Sequence, residues 1–182
     1  MVDNSDLTEA DQAVLYLLNE LNKHFNNVTK ILVQKIFFLV NRSLDDRYVQ
    51  YEPLHYGMYS YDLEEILEKE KDLGLIDNRH KLSYSGQEVS MQINDNRFKK
   101  SIDTIIDSIK NLDEDDITYL LYHLYPDFTK NSRIMNNINS YKLESMVINL
   151  DKIKIGESKR IETDKNSVLT VKKLDEETIE IM

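Results

Sequence analysis

Apolar positions recur every three or four residues through most of the first 125 residues, as they do in helices that bury one face. The second such segment is apolar around most of its circumference, so we expect it to be the central and most buried helix. The segments predicted to be helical are 8–25, 29–42, 60–73, a stretch that follows Ser85-Gly86 and runs towards Met91 and Ile93, 98–112 and 113–125.

Capping residues support the ends of these helices. Thr8 and Asp113 are each followed three residues later by an aspartate, which is the pattern of a capping box. Ser60 is a candidate N-cap, and Gly74 stands where a helix often ends on a left-handed residue. Pro126 should end the last of the helices.

Two segments alternate apolar and polar residues with a period of two, which predicts strands. The first is a hairpin over residues 75–84 with its tip at 77–80, followed by another helix. Helix, helix, helix, hairpin, helix is the order of a winged helix-turn-helix unit. The second is an antiparallel β-meander near the end of the chain, with strands at 153–155, 159–163, 168–172 and 178–182.

The predicted fold is therefore α+β and mainly α. A winged helix-turn-helix-like unit covers residues 1–95, a helical extension packed on it covers 96–150, and a small C-terminal antiparallel β-meander covers 151–182. A chain of 182 residues is long enough to bury a core, and we expect the three parts to form one compact body.

Composition narrows the function. The 33 acids against 23 bases give a net charge of −10, which disfavours non-specific binding to nucleic acid or to anionic membranes. The absence of cysteine excludes disulfides, thiolate metal sites and cysteine nucleophiles. Four glycines do not form a phosphate-binding loop, and no catalytic set can be drawn from the spacing of the residues. We expect a non-enzymatic protein without cofactor or metal.

Localisation follows from two further observations. The first six residues carry acids where a signal peptide needs bases, and the longest apolar run, Ile36–Val40, is too short to span a bilayer. We expect a cytoplasmic protein with no membrane partner.

The third predicted helix would enter the DNA groove in a winged-helix reader, yet it is acidic. Its acids are Asp62, Glu64, Glu65, Glu68, Glu70 and Asp72, against Lys69 and Lys71. All six are expected to be exposed, and they would repel DNA phosphates. This face is either a plain solvated surface or a surface that binds a basic protein partner.

Five tyrosines lie close together in sequence, at positions 48, 51, 56, 59 and 61. Tyrosine is common both in cores and at interfaces, and both interpretations stay open. We expect Tyr56 to point inward and one or more of Tyr48, Tyr51 and Tyr61 to point outward. The candidate partner-binding residues are Tyr48, Tyr51, Tyr61, Glu64, Glu65 and Glu68.

Basic residues gather at the tip of the predicted wing, and they support an alternative function. Bases on a wing commonly contact phosphates without reading sequence. The candidate DNA-binding residues are Arg42, Arg79, His80, Lys81 and Arg97.

The histidines have no metal-ligand spacing, and we expect His55 to be buried and hydrogen-bonded to backbone. The acidic run 113–116 lacks the pattern of a calcium loop and is better explained by helix capping. The last strand could be an exposed edge that pairs with a partner or with a second copy of the chain, so a homodimer stays possible.

Three segments carry a recurring pattern: the helix residues 30–39 with Gln34-Lys35, the turn 55–63 with its His-Tyr-Gly-Met-Tyr-Ser sequence, and the Leu-Gly-Leu-Ile of 73–76. Together they resemble the Panacea domain, the SocA-like antitoxin family formerly known as a phage-associated domain of unknown function. Met58 stands where the family more often has proline, which removes a fixed φ from the turn. The resemblance covers roughly residues 8–95, and residues 125–128 with Ser132 also look like a segment of longer relatives.

The resemblance implies a non-enzymatic regulator that neutralises a toxin by binding it or by delivering it to a protease. Our leading hypothesis is therefore an antitoxin- or adaptor-like protein that binds a protein partner. The alternative is a winged-helix transcriptional regulator that binds DNA.

Overall fold

The computed structural model of the chain describes residues 7–133, 154–162, 168–173 and 179–181. Its helices are α1 Glu9–His24, α2 Lys30–Arg42, α3 Tyr61–Asp72, α4 Tyr84–Ser90, α5 Asn96–Ile109 and α6 Glu114–Leu124, with a short 3-10 helix at Pro126–Thr129. Its strands are β1 Glu52–Leu54, β2 Gly57–Tyr59, β3 Ser158–Glu162, β4 Val168–Lys173 and β5 Ile179–Ile181. The predicted mainly helical α+β class is confirmed.

The predicted helix caps are present. The Thr8 hydroxyl accepts from the backbone N–H of Asp11, and the Asp11 carboxylate accepts from the backbone N–H of Thr8 at 2.6 Å, which completes the capping box. Ser60 accepts from Leu63 at 3.1 Å, and Asp113 accepts from the residue three positions on at 2.9 Å. Helix α6 ends before Pro126, as predicted.

Helix α2 is the most completely buried helix, as its apolar circumference predicts. Every residue from Leu32 to Asn41 is buried, including the polar side chains of Gln34, Lys35 and Asn41. The aromatic rings of Phe37, Tyr48 and Phe98 pack beside it, with Tyr48 and Phe98 5.0 Å apart between ring centroids.

The chain packs as two units. The first comprises Met1–Tyr51 with Ser60–Ile106, and the second comprises Glu52–Tyr59 with Asp107–Met182. The predicted division into 1–95, 96–150 and 151–182 stays a prediction about domains. Residues 134–150 of the predicted helical extension lie outside the described residues.

In the first unit, the predicted hairpin is reduced to a turn with a single β-bridge between Ile76 and Leu82. The strand expected at 81–84 is wrong over its second half, because Ser83 is the N-cap of α4 and Tyr84 is its first residue. The Ser83 hydroxyl accepts from the N–H of Gly86 at 3.2 Å, so a local cap starts the helix before Ser85-Gly86, the pair expected to close the hairpin.

In the second unit, strands β3, β4 and β5 pair antiparallel in that order, which confirms the predicted β-meander over the described residues. The strand expected at 153–155 is wrong for Lys154 and Ile155, which lie in a turn closed by the Glu157 N–H on the Lys154 carbonyl. Residues 153, 163, 178 and 182 of the predicted strands lie outside the described residues.

The second unit also contains a hairpin that the sequence did not predict. Strands β1 and β2 pair antiparallel with Glu52 opposite Tyr59 and Leu54 opposite Gly57. In the described parts of the chain, no helix combines the length and the apolar character needed to cross a bilayer.

Candidate functional site

The acidic face of α3 is the most prominent charged surface among the predicted site residues. Asp62, Glu65, Glu68 and Asp72 are exposed. Within the described residues, the carboxylates of Glu65 and Glu68 make no hydrogen bond or ion pair. These two acids are therefore available to a positively charged partner.

Two acids predicted to be exposed on α3 are not. Glu70 is completely buried, so its assignment to the exposed face is wrong, because the helix turns this position towards α1. Glu64 is only partly exposed and forms an ion pair with Lys30 of α2. The acidic face is thus narrower than the sequence suggested, and we define it as Asp62, Glu65, Glu68 and Asp72.

The tyrosines separate into inward and outward positions. Tyr61, at the start of α3, is 57% exposed, so the expectation of an outward tyrosine is confirmed. Tyr51 donates to the Gln34 carbonyl at 3.0 Å and packs edge-on against Phe38, which makes it a poor contact for a partner. Tyr56 is 54% exposed, and its predicted inward orientation is wrong because it lies in the turn of the unpredicted β1–β2 hairpin.

Tyr48 is half-buried, and its hydroxyl donates to the Asp95 carboxylate at 2.9 Å. Burial and the negative charge of Asp95 raise the pKa of the Tyr48 hydroxyl. Backbone N–H groups at the start of α5, that of Phe98 above all, lower the pKa of Asp95. Of the three predicted tyrosine contacts, Tyr61 is the one whose ring is mostly open to solvent.

The basic turn at 77–82 exposes Arg79 and Lys81 but buries His80. The His80 backbone has a φ of +56°, and its Nδ1 lies 3.0 Å from the Val28 carbonyl oxygen. Burial lowers the pKa of this imidazole, so the side chain is neutral at pH 7. The expectation that His80 is a surface contact for DNA is wrong, because this turn points its ring into the first unit.

The same turn carries a compensating negative charge. The Asp77 carboxylate accepts from the backbone N–H groups of Arg79 at 2.7 Å and Lys81 at 2.9 Å, and these bonds lower the pKa of Asp77. An ionised aspartate therefore sits between the two exposed bases. It weakens the attraction of this turn for phosphates.

The other two predicted DNA contacts differ in their surroundings. Arg42, near the end of α2, pairs with the Asp46 carboxylate, and its guanidinium lies 5.8 Å from the centroid of the Phe38 ring. Arg97 is exposed at the start of α5, and its guanidinium has no partner among the described residues.

A cleft of about 410 Å³ lies in the first unit at the start of α5. Arg47 crosses it and pairs with Glu9 at 2.7 Å and with Asp95 at 2.8 Å, and Tyr48 and Arg97 also line it. Sequence reasoning missed Arg47 and Asp95, because residues this far apart in the chain give no local pattern. Because the Glu9 and Asp95 carboxylates both pair with Arg47, the Arg97 guanidinium is the one charged group lining the cleft that makes no ion pair within the described residues.

Two amide side chains of α2 hold the loops that precede α3. Gln34 donates to the Ser60 carbonyl at 3.0 Å and accepts from the Ser60 N–H at 2.9 Å. Asn41 accepts from the Tyr48 N–H at 2.9 Å and donates to the Val49 carbonyl at 2.8 Å. Gln34 therefore joins the helix segment 30–39 to the turn segment 55–63, two of the segments that carry the sequence resemblance. In both segments the joined residues serve to hold the loop before α3 on α2.

Residues 55–59 of the turn segment and Ser132 lie in the second unit, whereas the segment 73–76 lies in the first. The Arg133 N–H donates to the His55 carbonyl at 2.8 Å, and the Tyr122 hydroxyl lies 2.8 Å from the Ser132 hydroxyl. A Cβ at Gly57 would come within 2.5 Å of the Tyr122 ring, so this glycine is required by a close approach. The side chain of His55 is exposed, and the expectation of a buried histidine is wrong because it lies in the hairpin turn.

Comparison with protein-family models and with curated proteins finds no match for this chain. Within the described residues, no group of three or more histidine or acidic side chains is arranged to hold a metal ion.

Proposed function

We propose that this protein is a non-enzymatic regulator, antitoxin- or adaptor-like, that binds a basic protein partner through the acidic face of α3. The observation that carries the proposal is that Glu65 and Glu68 are exposed and make no hydrogen bond or ion pair within the described residues. The other acids of α3 differ: Asp62 accepts from the Gln50 N–H, Glu64 pairs with Lys30, Glu70 is buried and Asp72 lies at the end of the helix. Tyr61 adds a large exposed ring beside Asp62.

The winged-helix scaffold belongs to the same proposal. The order α1, α2, α3, bridged turn and α4 supports it, although the wing is short. We also propose membership of the Panacea family, which the three sequence segments support. We further propose a cytoplasmic location, where an antitoxin would meet its toxin.

Charge reversal tests the proposed surface. Glu65→Lys combined with Glu68→Lys should weaken partner binding about tenfold or more, because favourable contacts become repulsive. The wild-type protein, tagged and expressed in its own cells, identifies the captured protein, and calorimetry with that purified protein then measures the affinity. Weaker binding at higher salt is expected for all forms of the protein.

The matched control is Glu88→Lys combined with Asp115→Lys, which makes the same change of net charge at exposed positions outside α3. This variant should retain the wild-type affinity. Equal loss in both variants would mean that net charge alone governs binding, and unchanged binding in the α3 variant would contradict the proposed surface.

DNA binding is the alternative, and the exposure of Arg79 and Lys81 at the tip of one turn favours it. Fluorescence anisotropy with a labelled duplex over a salt series tests it, since phosphate contacts make affinity fall steeply as salt rises. Arg79→Ala with Lys81→Ala should then reduce both the affinity and the salt slope. A weak affinity that is flat with salt would remove this alternative.

A further inference from the structure

The junction between α1 and α3 contains a buried carboxyl group that the proposed binding function does not use. Glu70 is completely buried, and neither of its carboxyl oxygens has a hydrogen-bond partner in the described structure. A charged carboxylate in such a position would lose its hydration without compensation. The neutral acid is therefore the form that this site can hold.

The groups that act on Glu70 strengthen this conclusion. Asp11 of α1 is itself 1% exposed, and one of its oxygens accepts from the Thr8 N–H, from the Thr8 hydroxyl and from the Lys69 ammonium at 3.0 Å. These donors stabilise the negative charge on Asp11. The Lys69 cation is thus engaged with Asp11, and the charge of Asp11 opposes a second charge on Glu70.

We propose that Glu70 is held as a neutral carboxylic acid between α1 and α3, and that its ionisation at raised pH loosens the contact between these two helices. Burial, followed by the repulsion of Asp11 and opposed by the attraction of Lys69, raises the pKa of Glu70 well above its ordinary value. Because α3 also carries the acidic face, ionisation of Glu70 would also loosen the position of that face relative to α1. It does not depend on the face binding a partner.

The direction of the pH effect follows from proton linkage. Above the ordinary glutamate range the unfolded chain has lost this proton while the folded protein keeps it. The stability of the folded state therefore falls as pH rises, until the pH reaches the raised pKa of Glu70, where the loss ends. At low pH, below the ordinary glutamate range, the group contributes no pH dependence.

Chemical unfolding at a series of pH values from 5.5 to 9 tests the proposal with the full chain. Relative to Glu70→Gln, the wild-type unfolding equilibrium constant should rise about tenfold for each pH unit until the raised pKa is reached. Glu68→Gln is the matched control, since it removes an exposed carboxyl from the same helix, and it should follow the wild type. If Glu70→Gln shows the same pH dependence as the wild type, the proposal is overturned.

Hydrogen exchange adds a structural readout. After correction for the intrinsic effect of pH, the ratio of the exchange rate of the α3 amides in the wild type to that in Glu70→Gln should be larger at pH 9 than at pH 6. The same ratio at pH 6 and at pH 9 would contradict the loosening of the helix contact.

A second measurement keeps the proposal testable if the Glu70→Gln chain does not fold. Carboxyl ¹³C shifts of the wild-type protein, followed through pH, should show one assigned glutamate, Glu70, that titrates well above the others. Titration of Glu70 together with the exposed glutamates would overturn the proposal.

Discussion

Gln34 shows how one buried side chain can determine the path of a distant loop. Its amide bonds both backbone groups of Ser60, which is also the N-cap of α3. The helical pattern of α2 predicted that this segment is buried, yet no local rule indicates which backbone a buried amide will bond. Caps such as Thr8 with Asp11 were predictable because both partners lie within one turn of helix.

Gln34→Ala should destabilise the protein by about 2–4 kcal/mol, because two buried backbone groups of Ser60 lose their partners. Urea unfolding measures the change. Gln87→Ala, at an exposed position of α4, is the control and should stay within about 0.5 kcal/mol of the wild type. Equal stabilities of the two variants would refute this role for Gln34.

Gly57 and Gly74 form a matched pair for testing close approach against backbone conformation. Both have positive φ, +89° and +69°, but an added Cβ meets the Tyr122 ring only at Gly57 and open space at Gly74. Gly74→Ala should cost about 1 kcal/mol from backbone strain, and Gly57→Ala about 1–3 kcal/mol more. Thermal unfolding of both variants gives the comparison. A smaller loss at Gly57 than at Gly74 would show that the ring contact does not matter.

At the scale of elements, the helices were predictable because their evidence is local and periodic. The β1–β2 hairpin was not, since each strand has three residues, too few for an alternating pattern to be visible. Missing that hairpin also reversed the expected orientation of Tyr56 and His55. The predicted wing was too long, because residues 81–84 alternate like a strand although Ser83 is the N-cap of α4 and Tyr84 its first residue.

The start of α6 allows the contribution of a helix N-cap to stability to be measured. Asp113→Ala should destabilise this helix and the protein by about 0.5–2 kcal/mol, since the cap bond to the Asp116 N–H is lost. Asp115→Ala removes a first-turn acid without removing the cap, so its effect should be smaller and should diminish at high salt. Guanidinium or urea unfolding separates the two. Identical losses would mean that charge near the helix end, rather than the cap, is what stabilises α6.

At the scale of the whole molecule, the acidic balance of the chain is unevenly distributed. Of the six acids predicted on the third helix, four are exposed, one is paired and one is buried. The sequence predicted that the surface of α3 is negatively charged. It could not distinguish the exposed acids from the acid that forms an ion pair and the acid that is buried. That separation depends on contacts with α1 and α2, which are distant in sequence.

The net charge of −10 at neutral pH predicts a solubility minimum near the isoelectric point of about 4.9. Turbidity at low salt over pH 4 to 8 measures it. Glu65→Lys with Glu68→Lys should shift the minimum to higher pH, and the Glu88→Lys with Asp115→Lys control should shift it equally. Unequal shifts would reveal that one pair of acids is not ionised in the folded protein.

Gln34 and Asn41 have a consequence for a chain that contains no cysteine. Each amide acts as a non-covalent cross-link from the buried helix α2 to the backbone of a later loop, 26 residues away at Ser60 and 8 residues away at Val49. Such a link closes a loop much as a disulfide does, yet it forms during folding without an oxidant and is indifferent to reductants. The loops before α3 are therefore fixed by amide chemistry that works equally well in any redox environment.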